Sequence, residues 1–102
     1  MAQAEQMIDM IGYQKGSVVS RQILGKAKGN VTVFAFDEGQ GLSEHTAPFD
    51  AMVYIMDGEA KITIAEELFE LKAGDVIVMP ADKPHAITAI TPFKMLLAMI
   101  KA

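Results

Sequence analysis

The sequence predicts an all-β fold, a closed or nearly closed barrel. Short apolar segments rich in β-branched residues recur about once every eight to twelve residues, and glycine, proline, asparagine or aspartate stands in nearly every gap between them. No linker, low-complexity stretch or sequence-level repeat breaks the rhythm. One domain covering residues 1–102 is therefore expected, with residues 1–16 as an N-terminal arm and 17–102 as the barrel.

Taken in order, residues 1–11 mix Met7, Ile8, Met10 and Ile11 with polar neighbours, a pattern open to either a short helical turn or an extended arm. Val18, Val19 and Ile23 mark a strand over 17–24, and Gly25 to Asn30 supplies residues that tolerate positive φ, so a hairpin leads into Val31–Phe36. Pro48 cannot donate to a ladder, which places the segment before it at an edge, a bulge or a loop, with regular pairing from about Ala51. Asp57-Gly58 reads as a hairpin turn returning through Lys61–Ile64, Glu66-Glu67 as the next turn, and Leu68–Leu71 and Val76–Met79 as strands either side of Gly74. A loop over Pro80–Pro84, a strand over His85–Ile90 and a last strand over Phe93–Ile100 complete the chain.

Strand alternation places Val53 and Ile55 on one face and Met52, Tyr54 and Met56 on the other. The last strand repeats this, with Phe93, Met95, Leu97 and Met99 opposed by Leu96, Ala98 and Ile100. A small barrel has one interior, so the second apolar face is expected to meet another subunit, and a homodimer is predicted.

Composition narrows the function classes. A net charge of -4 and a pI near 5.0 argue against a nucleic-acid partner, and no apolar run is long enough to span a bilayer. The N-terminus lacks the basic start and apolar core of a secretory signal, which makes the cytoplasm the expected location. With no cysteine, disulfides, thiolate metal ligands and cysteine nucleophiles are all excluded.

Chemistry is left to the two histidines, His45 and His85. Each follows a glycine-led segment at a strand or its mouth, and two such imidazoles converging inside a barrel could form part of a metal site. Gly39, His45 and Gly58 share one spacing frame, while Gly74, Pro80 and His85 share a second, with fifteen residues between Gly58 and Gly74. On these residues the chain resembles a small single-domain cupin, whose two motifs and their link would cover roughly half of it. The resemblance implies a double-stranded β-helix, or jelly-roll barrel. It also implies a divalent transition metal (Mn, Fe, Ni or Zn) held by three histidines and a glutamate.

Two of those four ligand positions are empty here. The second histidine of the first motif is Ala47 and its glutamate is Ala51, while the glycine and asparagine of the second motif are Asp82 and Ala89. Only His45 and His85 remain as ligands, with Glu44, Asp50 and Asp82 the nearest replacements, although a regular strand would turn Asp50 away from the face of Ala51. The expected pocket has Phe34, Phe36, Ala47, Ala51, Val53 and Ala89 as its walls. Tyr54, out of phase with Ala51, is assigned to packing. Methionines 52, 56, 79, 95 and 99 could bind soft copper through their thioethers, but are read first as core and interface fillers.

The leading functional expectation is a small-molecule-binding protein with a partly degraded metal site. The alternatives are a metal-dependent oxygenase or isomerase using His45, His85 and a further ligand, a metal-free acid–base catalyst, and a structural dimer without ligand.

Overall fold

The computed structural model describes residues 2–101, which form nine strands. These are β1 (Val18–Lys26), β2 (Gly29–Phe36), β3 (Gly41–His45), β4 (Asp50–Asp57), β5 (Glu59–Ile64), β6 (Glu67–Lys72), β7 (Val76–Met79), β8 (His85–Ala89) and β9 (Phe93–Ile100). They pair antiparallel in two sheets of order β1-β2-β9-β4-β7 and β3-β8-β5-β6, the two layers of a jelly-roll barrel. Inner-face residues of both sheets make a continuous core in which Phe36, Val53, Ile55, Ala60, Ile62, Phe93 and Met95 are fully buried.

Three turns differ from their sequence reading. The β1–β2 hairpin is tighter than Gly25–Asn30, because pairing runs out to Lys26 and Gly29. Asp57-Gly58 does not fold β5 back on β4, since the two strands lie in different sheets and β5 pairs with β6 and β8. Gly58, at φ 78°, turns the chain across the barrel so that Ile55 and Ile62 reach the same core from opposite layers. A Cβ there would lie 2.0 Å from the Pro92 carbonyl oxygen, so the position needs both the freedom and the small size of glycine. The turn placed at Glu66-Glu67 sits one residue earlier. Ala65 and Glu66 take it with φ of 47° and 74°, while Glu67 already pairs in β6.

The N-terminal arm forms a single 3-10 turn, Met7–Asp9, and lies on the outer face of the five-stranded sheet. Ile11 is buried against Val33 and Ala35 there. Polar latches fasten the arm: the Lys94 ammonium donates to the Ile8 carbonyl at 2.6 Å and lies over the Tyr13 ring, and the Tyr13 hydroxyl donates to Asp57. Burial, and after it the hydrogen bond and charge of Asp57, hold the Tyr13 phenol above its ordinary pKa. The Asp37 carboxylate accepts the amide hydrogens of Gly16 and Glu38, which hold it below the usual carboxylate range, with Lys15 assisting.

The arm thus covers part of the apolar outer face. Beyond it, one row crosses the entire sheet through the paired residues Leu24, Val31, Ala98, Met52 and Val78, with Leu24 and Val78 62% and 57% exposed. No helix among the described residues is long and apolar enough to cross a membrane.

Candidate functional site

Strand β3 is an edge strand, and its pairing with β8 is irregular. Gly41 and Leu42 oppose Thr88 and Ile87, and the next pair is His45 with His85, so Ser43 and Glu44 face only Ala86. The extra residue is a bulge. In an uninterrupted strand Leu42 and His45, three apart, would point to opposite faces; the bulge turns both inward. Gly41 allows the close approach at the start of this pairing, since a Cβ there would meet the Ile87 carbonyl oxygen at 2.1 Å.

His45 and His85 are therefore direct cross-strand partners, their rings edge to face with centroids 4.3 Å apart. His85 is 7% exposed, whereas His45 stands at the mouth and is open to solvent. Each ring has the same second tie: Nδ1 of His45 lies 2.8 Å from the Ser43 carbonyl oxygen, and Nδ1 of His85 lies 3.1 Å from that of Lys83. A carbonyl oxygen only accepts, so these contacts call for the proton on Nδ1 of both rings, and in the neutral ring of that tautomer Nε2 is the acceptor.

These rings form one side of a cavity of about 190 Å³, lined also by Leu42, Ala47, Phe49, Ala51, Met79, Ile87, Leu97 and Met99. The opposite side is a row of the larger sheet, in which Ala51 of β4 pairs with Met79 of β7 and with Met99 of β9. The alanine at the glutamate position of the cupin frame is thus flanked by two thioethers. Alternation directs Tyr54 to the other face, away from this row.

The remaining residues singled out in the sequence do not join this group. Phe34, Phe36, Val53 and Ala89 are absent from the lining. Phe36 stacks on Phe93 with centroids 4.5 Å apart at the far end of the barrel, Phe34 packs beside it, Ala89 pairs with Ala60, and Val53 lies one inner-face row deeper than Ala51. Glu44 is exposed on the bulge. Asp50 points outward and accepts the Ala81 amide hydrogen at 2.9 Å, tethering the 80–84 loop. Asp82 is an exposed turn residue at φ 64°, the backbone conformation that glycine would adopt at this motif position, and its amide donates to the Ala47 carbonyl. Aspartate tolerates that conformation better than most residues.

The donor set does not fit a divalent metal held by three histidines and a carboxylate. Among the described residues no group of three or more histidine, cysteine, aspartate or glutamate side chains converges. Sequence spacing missed Leu42, Phe49, Met79, Ile87, Leu97 and Met99 as lining residues; the alternation of the last strand, which sets Leu97 and Met99 on one face, was a usable signal for two of them.

Two antiparallel sheets closed around a histidine-bearing mouth define a double-stranded β-helix protein. The family profile for the cupin domain matches residues 32–99, and the chain belongs to the cupin family. A conserved protein of unknown function from Streptococcus pyogenes is similar over 100% of this chain and 90% of its own, at 36% identity and a TM-score of 0.95. A cupin superfamily protein from Desulfitobacterium hafniense is 27% identical with a TM-score of 0.94, covering 100% of this chain and 94% of its own. A cupin 2 conserved barrel domain protein from Leptotrichia buccalis is 36% identical over 92% of this chain, which spans 46% of that longer one, with a TM-score of 0.87. No curated protein gives a significant match.

Proposed function

We propose that this cupin is a binding protein whose partly degraded metal site serves as a pocket for a compact, largely apolar molecule carrying a hydrogen-bond donor. The observation that carries this reading is the pair of imidazoles lining an otherwise apolar cavity, each tied at Nδ1 to a backbone carbonyl, which leaves Nε2 as the ring's free nitrogen. Such acceptors favour a ligand hydroxyl or N–H, because a ligand that displaced water from them without offering a donor would leave a buried polar group unpaired, at a cost of about 1–3 kcal/mol. Size narrows the class: a cavity of roughly 150 Å³ takes up benzene, so about 190 Å³ suits a single ring with a small substituent, such as a phenol or an aromatic alcohol.

The test is a thermal-shift series on chelator-treated protein with monocyclic phenols, aromatic alcohols and their O-methyl ethers. A ligand of the native state raises the melting temperature by mass action. Phenols should shift it, ethers should shift it less, and Ala47→Leu, which fills the mouth, should abolish the response. No shift across the series would refute the reading.

The metal-dependent enzyme reading is weaker on these residues, since Glu44, Asp50 and Asp82 all lie outside the cavity. We also propose a homodimer through the outer row from Leu24 to Val78, which five strands at about 4.8 Å spacing make roughly 19 Å wide. A two-fold axis would set this row on its own copy. Light scattering should give a dimer that Val78→Lys dissociates; a monomeric mass for the unaltered chain would contradict this.

A further inference from the structure

We propose that the mouth of the barrel is a copper(I) site built from His45 and His85 of one sheet and Met79 and Met99 of the other. This goes beyond the small-molecule reading and does not depend on it. Both methionines line the same cavity as the imidazoles, and they flank Ala51 on the two neighbouring strands, so two thioethers stand around the position from which the cupin frame would present a carboxylate. Thioether sulfur is a soft donor that favours copper(I), and imidazole nitrogen accepts the same ion.

The electrostatics point the same way. No carboxylate lines the cavity, and the four donors are neutral, so a bound ion keeps its whole charge in an apolar site. The desolvation cost of an ion grows as the square of its charge, which penalises a divalent cation about four times as heavily as a monovalent one of equal size. Neutral soft donors around a monovalent soft ion are therefore the consistent combination.

The imidazoles are also set for it. Metal-bound histidine commonly donates its second ring N–H to a carbonyl or carboxylate, which fixes the tautomer and aims the free nitrogen. Both rings have this tie in place, through Ser43 and Lys83. Methionine, unbranched and with three rotatable side-chain bonds, can bring its sulfur to such a centre without moving the backbone.

The test is anaerobic titration of chelator-treated protein with copper(I), kept reduced by ascorbate, against the chromophoric chelator bicinchoninate. The folded chain should withdraw one equivalent, and X-ray absorption should show both sulfur and nitrogen neighbours. Met79→Leu and Met99→Leu are near volume-conserving and should leave the fold intact. Each should weaken copper(I) at least tenfold, and the double variant should lose the sulfur signal; His85→Ala should abolish withdrawal. Failure to withdraw copper, or equal affinity in the double methionine variant, would overturn the proposal. Because the phenol series uses metal-free protein, either reading can fail alone.

Discussion

The two ends of the barrel are built from the same strands by opposite rules. At one end Phe36, Ile55, Phe93 and Met95 are fully buried, and Phe36 and Phe93 stack within 7° of parallel. At the other, six residues further along β9, the side chains shrink to Ala47 and Ala51 or loosen to Met99, and two imidazoles stand where the closed end has rings of carbon. The closed end is filled; the open end leaves room. Packing energy is concentrated where no ligand can enter, and the open end can vary its donors at little cost to the fold.

Substitution at the closed end should therefore give the largest effect. Phe93→Ala is expected to cost about 3–5 kcal/mol, as for other buried aromatic truncations, whereas Met99→Leu should cost less than about 1.5 kcal/mol. Urea unfolding of both variants checks this, and equal losses would break the distinction between the ends.

A smaller effect is expected at the β5–β6 hairpin, where Ala65 and Glu66 both hold positive φ. Tight two-residue hairpins of this hand favour Asn-Gly, and an L side chain in the left-handed region costs roughly 1–2 kcal/mol. Ala65→Asn with Glu66→Gly should raise stability by about 1–2 kcal/mol in calorimetry and leave ligand or copper binding at the mouth unchanged.

The smallest effect belongs to the arm, outside both ends. The folded-state pKa of Asp37 lies below its unfolded value, so its contribution is present above the ordinary carboxylate pKa and is lost as pH falls through the lower, folded value. Protection of the Gly16 amide, its exchange rate set against the intrinsic rate at each pH, should fall over that acid window in the native chain, and Asp37→Ala should remove the dependence. Tyr13 has the opposite sign: its raised pKa means the latch to Asp57 holds below about pH 10 and weakens as pH rises beyond it.

Most of the architecture was legible because alternation and turn residues are local signals. β2, β4 and β9 follow from their apolar periodicity, and the motif spacing located both histidines. What was not legible depended on partners distant in sequence. Asp57-Gly58 has the local chemistry of a hairpin, yet the choice between folding back and crossing to the other sheet lies in the approach of Pro92 and Phe93 to Gly58. The same holds for the site. Phe36 and Ala89 have the composition of pocket walls, but register carries them to the closed end, while Met79 and Met99 share one cavity wall because both pair with Ala51. The inward turn of His45 depends on a bulge that Pro48 hinted at but did not locate.

Both functional proposals require two imidazoles that hold their protons on Nδ1, against the Ser43 and Lys83 carbonyls, and keep Nε2 free. With only two histidines in the chain, long-range nitrogen–proton correlation spectra of ¹⁵N-labelled, chelator-treated protein near pH 8 report these tautomers directly. Two neutral rings protonated at Nδ1, each with an unprotonated Nε2, are the predicted result. A proton on Nε2 of either ring would contradict the account.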